Sequence, residues 1–96
     1  MDEHPLVRFV DGPGGRRARL LGSAGDVWEV IATLRDNDND TDAAAAYLQI
    51  SPALIQAAVI YYGAHQDEID GWIDRNRSEA AEALAAWHAG QAALRR

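Results

Sequence analysis

Residues 41–62, TDAAAAYLQISPALIQAAVIYY, decide the fold of the chain. They predict two helices, from about residue 42 to 49 and from about 52 to 64. Ser51 is a typical N-cap residue and Pro52 is favoured in a first helical turn. Small and apolar side chains stand where two crossing helices need contacts, at Ala44, Ala45, Leu48, Ile50, Ile55 and Ala58. The pattern predicts a helix-turn-helix motif.

This motif is a poor match to a DNA-reading element. Its second helix has no charged residue, and Gln56 is the one side chain before the tyrosines that suits a base edge. Residues 36–74 around it carry eight acidic residues and no arginine, and such a surface repels phosphate. Gln49 also replaces the usual turn glycine. We therefore favour core packing or dimerisation, with DNA contact through Gln56 as the alternative.

Upstream of this motif, residues 6–21 predict a β-hairpin. Two β-prone runs flank the turn-forming stretch DGPGG at residues 11–15. A register with Asp11 opposite Arg16 sorts the side chains into two sets, which a shift of one residue would mix. The set expected to face the core is Val7, Phe9, Ala18 and Leu20. The set expected to face outward is Arg8, Arg17 and Arg19.

The hairpin concentrates basic side chains beside an acidic helix start. Its candidate DNA-binding arginines are Arg8, Arg16, Arg17 and Arg19. A two-stranded ribbon can contact DNA, and a dimer would present two ribbons. The same arginines can instead pair within the chain with Asp26, the predicted N-cap of the next helix, or with Glu29. Both interpretations stay open.

Three further helices complete the predicted fold, at about 27–35, at about 66–75 and from residue 78 almost to the end. The chain is expected to be mainly α with an N-terminal β-hairpin, a homeodomain-like or winged-helix-like helix-turn-helix core and a C-terminal helix. We expect residues 1–76 to form the hairpin and helix-turn-helix domain. Residues 77–96 are then an arm that binds a partner or a second copy.

The last predicted helix is the strongest candidate for an interaction element. Leu84, Trp87 and Leu94 lie along one side of a segment that is otherwise almost all alanine. A thin apolar stripe with one tryptophan suits binding in a groove, with Trp87 as the anchor. Trp72 is a further candidate for partner binding. The alternative is that part of this helix folds back on its own domain or pairs with its copy in a dimer.

Length and charge indicate a small acidic protein. The chain has 96 residues and a net charge of −6, with nine arginines and no lysine. Residues 1–35 are balanced, residues 36–74 carry −8, and residues 75–96 carry +2. So short a chain has a thin core, which predicts a homodimer. No apolar run is long enough for a membrane span, so we expect a cytoplasmic protein.

The sequence gives no support for catalysis or for a cofactor. It contains no cysteine, and its three histidines lie far apart. Asp36, Asp38 and Asp40 match three ligand positions of an EF-hand loop, but Thr41 stands where glycine is required and Tyr47 where glutamate is required. We expect a solvated loop that caps the following helix, no bound metal and no enzymatic activity.

Three stretches resemble one small bacterial family. They are RARLLGSAGDVWEVI at residues 17–31, AAYLQISPALIQAAVIYY at 45–62 and DEIDGWI at 67–73. Their order and spacing resemble the family catalogued as domain of unknown function 433, over about residues 16–76. Members often have Gly-Thr-Arg or Gly-Thr-Gly where this chain has GSAG at residues 22–25.

This resemblance implies an antitoxin of a type II toxin–antitoxin module, encoded beside a PIN-like ribonuclease toxin. The expected function is to bind and neutralise that toxin, with repression of its own operon as a further role if operator DNA is bound. An acidic, thin-cored chain suits a basic, RNA-cutting partner, because complementary charge steers association. The alternative is a freestanding helix-turn-helix regulator of transcription.

Overall fold

The computed structural model describes residues 4–22 and 25–96. An antiparallel hairpin is followed by four helices within these ranges. The elements are β1 (Val7–Gly12), β2 (Gly15–Leu20), α1 (Val27–Asp36), α2 (Thr41–Leu48), α3 (Pro52–Ala64) and α4 (Gln66–Leu94). The prediction of a mainly helical chain with an N-terminal hairpin is confirmed. Residues 23 and 24, in the strand break predicted at 22–25, lie outside the described residues.

The hairpin has the predicted register. Asp11 lies opposite Arg16, and the ladder closes one pair further on, between Gly12 and Gly15. The side chains that it buries in the core are those of Val7, Ala18 and Leu20. The alternation of side chains along the two strands therefore predicted three of the four core positions correctly.

Phe9 is the exception, since it is 49% exposed and does not belong to the core. It lies towards the turn, where its ring is 6.2 Å from the ring of Tyr61 between centroids. The guanidinium of Arg16 lies 4.1 Å from the Phe9 ring centroid. A cation over the ring compensates in part for its exposure. The expectation that Phe9 is buried in the core was therefore wrong: its ring lies on the side of Tyr61, but the structure leaves 49% of the residue exposed.

α1 begins at the predicted cap. Asp26 is the N-cap residue, and Oε1 of Glu29 accepts a hydrogen bond from the Asp26 backbone N–H at 3.5 Å. This contact satisfies a backbone donor that the helix itself cannot pair. The buried side of α1 is a stripe at helical spacing, Val27, Val30, Ile31 and Leu34. The prediction of a helix over 27–35 is confirmed.

α2 and α3 are short helices joined by a tight turn and bent by 114°. Asp40 Oδ1 accepts from the Ala43 N–H at 3.1 Å, and Ser51 Oγ accepts from the Ala53 N–H at 3.2 Å. Gln49 ends α2 in the left-handed conformation, with φ 58°. A glycine would adopt that conformation at lower cost. The aspartate-rich loop thus caps a helix, as expected.

α4 replaces two predicted helices with one of 29 residues. The prediction of a separate last helix from residue 78 was wrong, because no glycine or proline interrupts residues 72–89 and the helix runs through them. The boundary predicted after residue 76 therefore falls inside a continuous helix. At 1.5 Å per residue α4 is about 43 Å long, and the described protein extends 61 Å along its longest axis.

No single helix among residues 4–22 and 25–96 is long and apolar enough to cross a membrane. Only α2 and α3 taken together have the length and apolar composition of a membrane span, and a bend of 114° divides this pair.

Candidate partner-binding surface

The C-terminal part of α4 extends away from the rest of the fold. Residues 74–94, here called distal α4, are all exposed except for the half-buried Gln91. Leu84 is 56% exposed, Trp87 63% and Leu94 87%. Large apolar side chains with that much exposure are the ones expected at a binding surface rather than in a core. The structure thus brings three of the predicted partner-binding residues onto one exposed segment.

The exposed stripe continues the buried face of the same helix. Steps of seven residues lead from Ile73 through Ala80 and Trp87 to Leu94. Side chains at this spacing share one side of a helix. Ile73 is buried in the core, whereas the later members are exposed. The face that α4 packs against its own domain therefore runs on beyond that domain.

The N-terminal part of α4, residues 66–73 and here called proximal α4, is bonded to two other helices. Asp70 Oδ1 accepts a hydrogen bond from the Tyr62 hydroxyl at 2.9 Å and pairs with Arg35 Nη2 at 3.0 Å. Arg35 Nη2 also donates to the Tyr62 hydroxyl. These three residues come from α4, α3 and α1. The network therefore fixes the direction in which distal α4 projects.

Two groups in proximal α4 and its neighbour α3 have shifted pKa values. The Arg35 guanidinium, and then the Tyr62 hydroxyl, hold the pKa of Asp70 below its usual value. Burial, and then the hydrogen bond to Glu68, raise the pKa of Tyr61 above its usual value. The Tyr61 hydroxyl donates to Glu68 Oε2 at 2.8 Å. Both shifts belong to contacts that hold proximal α4 in place.

Trp72 lies away from the exposed stripe. It is half-buried, and the Arg75 guanidinium lies 4.6 Å from its ring centroid. Arg75 Nη1 donates to the Gly14 carbonyl at 2.9 Å, so the hairpin turn contacts α4 here. A Cβ on Gly14 would come within 3.2 Å of the Trp72 ring. A hollow of about 280 Å³ opens beside these groups and also touches Trp28.

The hairpin arginines divide into two pairs. Arg17 Nη1 and Arg19 Nε lie 3.4 Å and 3.1 Å from the carboxylate of Asp26. That carboxylate is 3% exposed and also accepts from the Trp28 indole N–H at 3.1 Å. Arg8 and Arg16 are exposed. Two of the four candidate DNA contacts are therefore occupied by one buried carboxylate, which is the intramolecular alternative that the sequence left open.

Gln56 is exposed on the outer side of α3, where it lines a mostly apolar groove of about 290 Å³. The groove lies between α3 and residues 4–7, and Ile60 stands beside it. Val59 and Ile60, which sequence reasoning did not select, are 42% and 63% exposed. The signal that could have identified this face is the absence of charge from Ile50 to Gln66.

Among the described residues, no group of three or more histidine, aspartate or glutamate side chains is arranged to hold a metal ion. Comparison of the chain with protein-family models, with curated proteins and with solved structures finds no match.

Proposed function

We propose that this protein is an antitoxin of a type II toxin–antitoxin module, which binds and neutralises a PIN-like ribonuclease toxin through distal α4. One observation carries the choice of surface: Leu84, Trp87 and Leu94 are 56%, 63% and 87% exposed on a single helix. The choice of partner comes from the resemblance of residues 16–76 to an antitoxin-like family. Binding in an apolar groove of the toxin would cover the stripe.

The charge distribution supports a basic partner. Residues 36–74 carry eight acidic residues, and no arginine offsets them within that segment. A nuclease that holds RNA presents cations to phosphate, so the acidic body would steer the encounter and distal α4 would supply the apolar contact. The toxin is then neutralised if the bound helix covers its RNA groove or prevents its metal-binding carboxylates from acting.

Co-purification with the product of the neighbouring gene tests this proposal. The full chain, tagged and co-expressed with that product, is expected to retain it on the affinity resin and to suppress its ribonuclease activity. Deletion of residues 78–96 is expected to abolish both effects. Because those residues are exposed apart from the half-buried Gln91, the truncated domain should keep its melting temperature. Undiminished binding by the truncated chain would assign the partner to another surface.

The second candidate function is DNA binding by a helix-turn-helix formed by α2 and α3. The 114° bend between them lies within the range of about 90–120° that such motifs show. Gln49 takes the left-handed conformation at the turn position. Against DNA reading by α3, the helix carries no cation. The exposed Arg8 and Arg16 would then supply phosphate contacts from the hairpin.

A gel shift on the protein's own promoter tests this second candidate. Arg8→Ala and Arg16→Ala are the informative variants, since loss of a phosphate contact weakens binding and reduces its salt dependence. Arg17→Ala and Arg19→Ala would instead disturb the pairing of buried Asp26. Binding that does not change with Arg8, Arg16 or salt would reject the hairpin as a DNA contact.

A further inference from the structure

Cations border the apolar stripe of distal α4 on one side only. The stripe consists of Leu84, Trp87 and Leu94. At about 100° per residue, Arg77 and Arg95 both lie about 65° to the same side of the middle of the stripe. Glu79 lies about 95° to its other side, and Glu82 lies on the back of the helix. Arg95 is the C-cap residue of α4 and keeps a right-handed helical backbone, so the pattern holds to the end of the helix.

These two arginines are not used within the described protein. Both are exposed, and the ion pairs among residues 4–22 and 25–96 are made by Arg17, Arg19 and Arg35. Arg75 differs, since it donates to the Gly14 carbonyl. The helix dipole favours a cation at Arg95, but Arg77 lies several turns before the end, where the dipole has no such effect. Arg77 and Arg95 are therefore available to a partner together with the stripe.

A second copy of the chain does not match this arrangement. If two distal α4 helices paired antiparallel about a two-fold axis with their stripes together, the arginine side of one would lie against the arginine side of the other. A parallel pair would instead place the two bodies side by side, and residues 36–74 of each body carry eight carboxylates. Like charges therefore oppose both arrangements.

An extended polyanion does not match it either. The eight carboxylates of residues 36–74 repel the phosphates of a nucleic acid or of an anionic membrane. The narrow apolar stripe suits a groove of similar width. A folded protein can combine such a groove with carboxylates along one wall only, and this combination complements distal α4.

We infer that the partner of distal α4 is a protein with an apolar groove, one wall of which carries carboxylates facing Arg77 and Arg95. The two arginines lie about five helical turns apart, so these carboxylates are spread over roughly 27 Å of the wall. Charge on one side also fixes the direction of the helix, since turning it end for end would exchange the walls. The inference rests on the proposed function where it takes this partner to be the toxin. The toxin then presents carboxylates to distal α4 and cations to residues 36–74.

The first test is calorimetric titration of the purified product of the neighbouring gene, the proposed toxin, with the full chain and its variants. Arg77→Gln and Arg95→Gln are each expected to raise the dissociation constant about tenfold, because each leaves a carboxylate of the groove without its partner. Added salt should weaken the wild type more than either variant. Glu82→Gln, a change of one charge on the back of the helix, is the control and should change the constant less than about twofold. Helix content by circular dichroism checks that the variants fold.

The second test does not need the toxin. Two labelled amphipathic helical peptides share one leucine stripe, and they carry either glutamate or lysine along one side of it. Fluorescence anisotropy in about 0.15 M salt, where exposed charges beyond roughly 8 Å are screened, measures their binding to the full chain. The glutamate peptide is expected to bind about tenfold more tightly, and Arg77→Gln should remove this preference. A preference for the lysine peptide, which the acidic body alone would produce, overturns the inference.

The two tests separate the inference from the proposed function. A toxin that binds the wild type and both arginine variants equally overturns the inference and leaves the proposed function standing. A toxin that does not bind, beside a preference for the glutamate peptide that depends on Arg77, rejects the proposed function and supports the inference. Failure of both tests overturns both. Binding to phosphatidylglycerol vesicles that is lost in Arg77→Gln would assign the arginines to a lipid surface and also overturn the inference.

Discussion

In proximal α4, Ile69 and Ile73 are 0% and 2% exposed, whereas on the same side of distal α4 Leu84 and Trp87 are 56% and 63% exposed. Proximal and distal α4 belong to one helix and share one apolar face. They differ in what covers that face. Proximal α4 packs against α1 and α3, and distal α4 runs past the end of the domain.

This difference shows how distal α4 can stay helical without packing. Starting an isolated helix is costly, while extending an existing one adds a hydrogen bond for each residue fixed. Proximal α4, held by the Asp70 network, provides the start. Distal α4 is rich in alanine, the residue with the highest helix propensity. A segment already helical before binding loses less conformational entropy when a partner covers it.

The largest expected effect is on stability, when a buried side chain of proximal α4 and an exposed one of distal α4 are truncated. Ile69→Ala should lower the free energy of unfolding by about 2–5 kcal/mol, because it removes buried methyl groups and leaves a cavity. Leu84→Ala should change it by less than about 0.5 kcal/mol, since Leu84 is exposed and alanine favours the helix. Urea unfolding followed by circular dichroism measures both. Equal losses would mean that distal α4 is covered in solution.

The next effect concerns binding rather than folding. Trp87→Ala should weaken binding of the proposed toxin by about 2 kcal/mol, roughly 30-fold, because buried tryptophans commonly dominate interfaces. Its unfolding midpoint should match that of the wild type. Calorimetric titration with the purified toxin measures the affinity. Glu82→Ala, on the opposite side of distal α4, is the control. Equal affinities of the two variants would contradict the assignment of the stripe.

A smaller effect distinguishes local from global stability. Gly71 lies in proximal α4 and Gly90 in distal α4, and a Cβ at either position meets no atom within 4 Å. Glycine to alanine at such sites gains about 0.4–1 kcal/mol. Gly71→Ala should raise the free energy of unfolding by this amount. Gly90→Ala should slow amide exchange only in distal α4. An equal rise in the free energy of unfolding of both variants would show that proximal and distal α4 unfold as one unit.

Local signals in the sequence determined most of the fold. The turn cluster and alternation predicted the hairpin register, and Asp26 and Ser51 marked two helix starts that the structure confirms. The aspartate-rich loop was expected to cap the next helix, and Asp40 does so. The helix start predicted at residue 78 was wrong, because a serine caps a helix only where the backbone leaves the helical conformation. The sequence has no independent sign of that departure.

The candidate surfaces were less predictable because they depend on what tertiary packing leaves uncovered. The stripe of Leu84, Trp87 and Leu94 was visible from spacing alone, since nothing beside it in sequence competes for burial. The pairing of Arg17 and Arg19 with one carboxylate was left open, because it requires β2 to lie against the start of α1. The outer side of α3 has the same composition as its inner side, so only the fold shows which side remains exposed.

The smallest expected effect is on the pH dependence of stability, which should differ between variants of proximal and distal α4. Asp70 of proximal α4 has a lowered pKa in the folded protein, so folding favours its charged form. Its contribution to stability is fully present above the unfolded pKa, about 4, and is lost as the pH falls through the folded pKa. Asp70→Asn should therefore lose less stability than the wild type between about pH 5 and 2. Glu82→Gln in distal α4 should follow the wild-type curve. Urea midpoints across this range measure the difference. An Asp70→Asn curve parallel to that of the wild type would show that Arg35 and Tyr62 do not bind this carboxylate in solution.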